Sequence, residues 1–171
     1  MDAEARRTAI LEWLRSTAHP ITGTEMASKM KVSRQVIVQD IALLRAAGHP
    51  IIATPQGYTV SVPSPSPGIT RLIATKHGRE EVEDELMTIV QEGVSVIDVI
   101  VEHPIYGQLT GALYLDDPSD VKEFMRRLSE SGAKLLSSLT EGVHLHTVRA
   151  VDNEAIERAE RELSKKGYLL K

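Results

Sequence analysis

Residues 62–68 read VPSPSPG, and this stretch limits the possible folds more than any other. Proline lacks a backbone N–H and fixes φ, so a Pro-Ser alternation extends neither a helix nor a central strand. Such a segment is a semi-rigid, extended spacer. A linker over 63–68 divides the 171 residues into a head over 1–62 and a body over 69–171, and each must bury a core of its own. No internal repeat at a fixed period is visible.

The chain is 42% hydrophobic but only 4% aromatic, so aliphatic side chains have to fill both cores. Cysteine is absent, which removes disulfides and thiolate metal sites and leaves His, Asp or Glu to hold any metal. The charged N-terminus MDAEARRTAI lacks the apolar stretch of a signal peptide, and no run approaches the ~18 apolar residues of a membrane span. A soluble, cytoplasmic chain with no membrane partner is expected. The net charge of −4 is unevenly spread. Residues 1–60 carry seven Lys or Arg against five Asp or Glu, net +2, and the remainder carries thirteen against nineteen, net −6. A mildly basic head on an acidic body points to different partners for the two parts.

In the head, EARRTAILEWLRST sets Ile10, Trp13 and Leu14 at helical spacing. TGTEMASKM reads as a shorter helix with Thr22 or Thr24 as N-cap, and Ser33 caps a third, RQVIVQDIALLRAAG, which ends near Gly48. Along it Ile37, Ile41 and Leu44 form a buried stripe, leaving Arg34, Gln35, Val38, Gln39, Ala42 and Arg45 on the opposite side. IIATPQGYTV then reads as a small hairpin. Three helices and a hairpin are the plan of a winged helix-turn-helix. Small Ala27, Val32 in the turn and Ile37 fall where the two helices must close, while Lys31 occupies a turn position that favours Gly for its positive φ.

A recognition helix offers its N-terminal residues to the major groove. Arg34 suits guanine O6 and N7, Gln35 and Gln39 suit adenine, and Val38 suits a thymine methyl. Thr22, Thr24 and Ser33 suit phosphates, and the hairpin tip from Thr54 to Gln56 a backbone or minor groove. The bland alternative is a solvated helix face in a protein-binding winged helix. One head supplies few phosphate contacts, so operator binding calls for two heads on one duplex. The body is therefore expected to form a homodimer on double-stranded operator DNA.

The body alternates elements. ITRLIATK is a strand, GREEVEDELMTIVQEG a helix, VSVIDVIVEH and QLTGALYL a hairpin, and DPSDVKEFMRRLSES a helix. AKLLSSL and GVHLHTVRA are expected as strands, NEAIERAERELSKKG as a helix and YLL as a short terminal strand. The expected fold class is α+β: a winged helix-turn-helix, then an α+β sandwich whose largely antiparallel sheet is covered on one face. The other face must meet water, a ligand or another subunit.

Six histidines are present. His19 and His49 each precede Pro in head loops and read as bland, whereas His77, His103, His144 and His146 lie at or near body strands. His144 and His146 project to one side of a strand with Val143 and Leu145 on the other, about 7 Å apart at their Cα atoms. Two imidazoles so placed either hold one ion or lie on a wet strand face. His77 closes the first body strand, and Glu85 follows in the next helix. Spacing alone leaves the carboxylate open among Glu80, Glu81, Glu83, Asp84 and Glu85.

VSRQVIVQDIALLRAAGHPI in the head resembles the winged helix of ligand-responsive bacterial repressors. ATKHGREEVEDEL, VIVEHPIYGQLTGAL and EGVHLHTVRA, in that order, resemble the three-histidine domain. The combination, over about residues 5 to 170, is similar to the niacin-responsive repressors of NAD biosynthesis and niacin uptake genes. That resemblance implies nicotinic acid as co-repressor and a divalent metal, nickel or zinc, on His77, Glu85, His144 and His146. It also implies a place for His103 in or behind the effector pocket. No catalytic residue is expected. Two other readings compete: a repressor for which the metal itself is the signal, and a metal-dependent hydrolase, for which no second motif supplies a base or leaving-group pocket.

Overall fold

The computed structural model describes residues 1–60 and 67–171. Residues 63–66 of the expected linker lie outside the described residues. The chain forms two compact units, Met1–Pro65 and Ser66–Lys171.

In the first unit, Asp2 caps helix α1 (Ala3–Ser16) by accepting from the Ala5 amide at 2.8 Å. Helix α2 (Gly23–Met30) starts in a capping box: Thr22 Oγ1 accepts from the Glu25 amide, and the Glu25 carboxylate accepts from the Thr22 amide. Ser33 caps helix α3 (Arg34–Ala46). Between α2 and α3, Lys31 adopts φ 55° and ψ 44°, the left-handed conformation expected of the turn, and the Val32 amide bonds Ala27 O at 3.0 Å. Ile10, Met26 and Ile37 are fully buried at the junction of the three helices, each contributing about 1.5–3 kcal/mol. Asp40 of α3 is buried and accepts from Arg6 Nε at 2.6 Å, which ties α1 to α3. Strands β1 (Ile52–Thr54) and β2 (Gly57–Thr59) form the hairpin, with Tyr58 also bridged to Ile21. Gly57 has φ +131°, and a Cβ there would stand 2.6 Å from the Ile21 backbone, so the hairpin docks only with glycine at this position.

The second unit contains β3 (Ile69–Lys76), α4 (Val82–Gln91), β4 (Ser95–His103), β5 (Gly107–Leu115), α5 (Pro118–Ser131), β6 (Val143–Ala150) and α6 (Asn153–Lys165). Sheet order is β3-β6-β4-β5, antiparallel throughout. β3 and β4 are thus parallel to each other with β6 between them, a split β-α-β arrangement. Helices α4, α5 and α6 contribute Leu86, Ile89, Val121, Ile156 and Leu163 to one core with Ile73, Val96, Leu115 and Val148 of the sheet. The opposite sheet face leaves Leu72 59% and Val143 41% exposed. The architecture is α+β with one face of the sheet covered.

Three local expectations are corrected. AKLLSSL is not a strand; residues Leu136–Thr140 form a 3-10 turn. The Ser138 hydroxyl donates to Leu135 O at 2.6 Å, and the Thr140 hydroxyl donates to Val143 O. These local bonds replace ladder bonds. The helix expected from Gly78 begins as a 3-10 turn over Arg79–Glu81 and becomes α-helical at Val82. YLL makes a single bridge, Thr75 to Leu169, flanked by bonds from the Lys76 amide to Tyr168 O and from the Leu170 amide to Ala74 O.

Candidate functional site

Register brings the second unit's polar residues together. Thr75 of β3 pairs with His144 and Ile73 with His146, all on the helix-covered face. One residue past β3, the chain carries His77 and makes a single 3-10 turn, so that α4 returns Glu85 over the same face. His144, His146 and Glu85 are 3%, 2% and 1% exposed. The H-x-H pair therefore lies inside the domain and not on a wet face. Residues 143, 145 and 147 take the open side, as two-residue alternation requires.

His77 Nε2 makes a close contact with Glu85 Oε2, His144 Nε2 lies 3.2 Å from both carboxylate oxygens, and His146 Nε2 lies 3.0 Å from Oε1. The other ring nitrogens are all engaged. Nδ1 of His77 donates to Gly78 O at 2.7 Å, that of His144 to Gly142 O at 2.8 Å and that of His146 to Asp98 O at 2.7 Å. A carbonyl only accepts, so each Nδ1 carries the proton and each neutral ring presents a bare Nε2 lone pair. Three lone pairs facing one carboxylate repel unless protons or a cation stand between them. Three imidazoliums on a single buried carboxylate would leave a net positive charge out of water. One divalent cation would satisfy His77, Glu85 and His144 at once, and Nδ1–H bonds to carbonyls are how proteins orient metal-ligating histidines. Donor atoms of His77, Glu85 and His144 all lie within 4.8 Å of one another. His146 Nε2, buried and 3.0 Å from Glu85 Oε1, stands beside these three. This set, free of thiolate, suits zinc or nickel.

Without a metal, protons mediate the cluster. Burial pushes the His77 and His146 imidazoles down, but the hydrogen bonds and charge of Glu85 outweigh it and hold both above 6.5. Burial pushes the Glu85 carboxyl up; the three histidines outweigh that and hold it well below 4.5.

Several supporting residues were invisible in the sequence. Thr75, fully buried, sets its hydroxyl 2.8 Å from Glu85 Oε1 and 2.9 Å from His144 Nε2. β4 carries one extra residue against β6 between Val96 and Ile100, and within this bulge Asp98 turns its carbonyl to His146 while its carboxylate accepts from the Thr147 amide at 2.9 Å. Gly142 has φ +90°, and a Cβ there would stand 2.2 Å from His77 O, so glycine lets the two histidine-bearing segments touch. Tyr168 sets its ring edge-on to His77 at 5.4 Å and donates to Asp84 at 2.8 Å, an interaction that raises its own pKa to about 12.

Among the cavities that adjoin the cluster, two share His77, Leu135 and Ser137 in their walls. The inner one, about 40 Å³, is bounded by the three histidines, Glu85 and an apolar set including Leu86, Leu113 and Phe124. The outer one, about 860 Å³, opens past Lys76, Arg79 and Lys134. His103 lines neither. It ends β4, where its Nδ1 accepts from the Ile105 and Tyr106 amides at 3.1 and 3.2 Å and its ring packs on Tyr106.

On α3, Arg34, Gln35 and Gln39 are exposed together, whereas Val38 is half-buried. Ser33 and Thr24 are exposed at the starts of α3 and α2. Thr22 Oγ1 bonds the Glu25 carboxylate at 2.7 Å, so its hydroxyl proton is engaged in the capping box.

A helix-turn-helix unit joined to a body with a histidine-rich centre defines the class. The HTH domain model matches residues 6–59 and the 3H domain model residues 70–171. The chain is 42% identical over 167 residues to the probable transcription repressor NiaR of Thermotoga maritima, covering 98% of this chain and 94% of that one. It is 46% identical over 168 residues to the transcription repressor NadR of Bacillus subtilis, covering 97% and 93%. The chain belongs to the family of 3H-domain transcription repressors that contains NiaR and NadR. No helix among the described residues is long and apolar enough to cross a membrane.

Proposed function

We propose that this chain is a cytoplasmic homodimeric repressor of NAD-biosynthesis and niacin-uptake genes, with nicotinic acid as co-repressor and a resident divalent metal, zinc or nickel. One observation carries the effector half: three histidines whose Nε2 atoms surround one carboxylate line a cavity with otherwise largely apolar walls. His77, Glu85, His144 and His146 hold the metal, which supplies a Lewis-acidic anchor for a small ligand. The chain's own residues fix the four donors and exclude water through Leu86, Leu113 and Phe124.

The exposed Arg34, Gln35 and Gln39 read base edges of double-stranded operator DNA, with Val38 set deeper; Ser33 and Thr24 meet the backbone, while Thr22 fixes the start of α2 that faces it. Nicotinate favours one placement of the two heads, and by linkage operator DNA tightens nicotinate binding by the same factor.

Titration of metal-replete protein with operator, with and without nicotinate, tests this reading while metal content is measured in parallel. Operator affinity should rise with nicotinate at constant metal. If metal alone switches DNA binding and nicotinate adds nothing, the ion is the signal. Substrate turnover in the absence of DNA would favour a hydrolase.

A further inference from the structure

Two residues of the histidine centre come from outside the sheet. His144 and His146 stand within β6, which pairs with β3 on one side and β4 on the other. His77 lies one residue beyond the end of β3, and Glu85 lies on α4 behind the 3-10 turn. The segment that follows α6 reaches both of these places.

Its path is set locally. α6 ends at Lys165, and Gly167 adopts φ +79°, a left-handed conformation that glycine takes without strain. The Gly167 amide donates to Ser164 O at 3.1 Å and the Tyr168 amide to Leu163 O at 3.0 Å, the paired bonds of a glycine-terminated helix. The chain is thereby turned back along the outer edge of β3. There the Lys76 amide donates to Tyr168 O at 2.8 Å and the Leu170 amide to Ala74 O at 2.9 Å, on either side of the Thr75–Leu169 bridge. Leu169 packs against the core. The Tyr168 ring stands edge-on to the His77 ring at 5.4 Å, and its hydroxyl donates to Asp84 Oδ2 at 2.8 Å. Lys166 Nζ donates to Asp84 Oδ1 at 2.8 Å and to Thr88 Oγ1 at 3.0 Å. Asp84 immediately precedes Glu85, so holding Asp84 on the outer side of α4 holds the rotation that turns Glu85 inward.

We propose that Tyr168 and Asp84 are positioning residues of the metal centre: through them the segment after α6 clasps His77 to the first turn of α4 and governs how slowly a bound divalent cation leaves. This assignment rests on the metal half of the reading above and not on the effector. A cation enclosed by these residues escapes when a donor-bearing element opens locally. For His144 or His146 that opening breaks ladder bonds; for His77 and Glu85 it breaks the clasp. Side chains that orient ligands without touching the ion are commonly worth about 10- to 100-fold in metal affinity.

The test is release of zinc from the loaded full chain to excess chelator, for the native protein and for Tyr168→Phe, Tyr168→Ala, Asp84→Asn and Glu92→Gln. Glu92 is the control: it pairs with Arg158 of α6 at 3.2 Å, joining the same two helices about 12 Å further along α4. Tyr168→Phe keeps the ring beside His77 and loses the bond to Asp84, whereas Tyr168→Ala loses both. Release should be about 3- to 10-fold faster in Tyr168→Phe and Asp84→Asn, about 10- to 100-fold faster in Tyr168→Ala, and unchanged in Glu92→Gln. The absorption of the cobalt(II)-loaded protein reads donor geometry separately: Tyr168→Ala should alter it and Glu92→Gln should not. Metal-free Asp84→Asn and Glu92→Gln should unfold at the same urea concentration, and acceleration that only tracks lost stability overturns the positioning role. Native release rates in Tyr168→Ala and Asp84→Asn, or an equal acceleration in Glu92→Gln, overturn the clasp while leaving the metal reading standing. A native protein that takes up neither zinc nor cobalt overturns both.

Discussion

Replacing Glu85 with Gln should destabilise the metal-free protein more in acid than in base. Glu85 is 1% exposed and faces three Nε2 atoms, two of them at 3.0 and 3.2 Å. His77 and His146 are held above 6.5 by this carboxylate. A histidine with a raised folded-state pKa adds stability that is fully present below its unfolded pKa and is lost as pH rises through the folded value. Glu85, held low, adds stability above about pH 4.5 that is lost only in stronger acid. The pairs thus act together near pH 6. Removing one partner of a buried pair costs about 3–5 kcal/mol, and the lower end applies because Gln keeps the shape and the bond from Thr75.

As pH rises and the His77 and His146 rings give up their extra protons, the Gln amide can donate to an Nε2 lone pair, so by pH 8.5 the cost should be smaller than at pH 6, toward about 1 kcal/mol. Urea unfolding of chelator-treated native and E85Q protein at both pH values measures this. The single Trp, Trp13, lies in the first unit and does not report on the second, so far-ultraviolet dichroism is the signal to follow. A penalty equal at the two pH values, or larger at pH 8.5, would refute the proton-mediated cluster. With metal added, E85Q should lose at least about 100-fold in metal affinity at either pH, since it removes a charged donor.

Arg34→Ala should weaken operator binding by about 1–3 kcal/mol and relax preference at one base pair; equal loss on random DNA in a gel-shift series would reduce Arg34 to a phosphate contact. Gly142→Ala forces a Cβ to 2.2 Å from His77 O and should cost about 1–3 kcal/mol of stability. It should also release metal faster, seen by chelator competition, because Gly142 O orients His144. His103→Ala should keep metal stoichiometry, measured by elemental analysis, because its Nδ1 closes a hairpin turn and not the cluster.

Much of the fold could be read because local rules and tertiary packing agreed. Ser33 capping α3, the Ile37, Ile41 and Leu44 stripe and the two-residue alternation of β6 each need only local geometry. The expectation failed where side chains compete for the backbone. Leu135, Leu136 and Leu139 look like a strand in AKLLSSL, but Ser138 and Thr140 hydroxyls take the local carbonyls and curl the segment into the wall of the cavities. The buried place of Asp40 had no signal in the sequence. Its partners, Arg6 and Arg7, lie on a helix more than thirty residues earlier, and no helical wheel of α3 contains them.

The candidate site divides along the same line. Spacing put His144 and His146 on one face, but which face is a property of the sheet: it depends on Ile73 and Thr75 standing opposite them and on three helices covering that side. Nor could spacing choose Glu85 from its acidic neighbours. The choice is made by the 3-10 turn at Arg79–Glu81, which sets the phase in which α4 begins and turns Glu85 inward while Asp84 faces Lys166 and Tyr168. Least legible were the carbonyls of Gly78, Asp98 and Gly142, because a backbone oxygen has no letter in the sequence. Yet those three oxygens hold the proton on Nδ1 of each ring and leave Nε2 bare. The residue types allow a metal centre; the backbone directions determine that these histidines turn Nε2 toward Glu85.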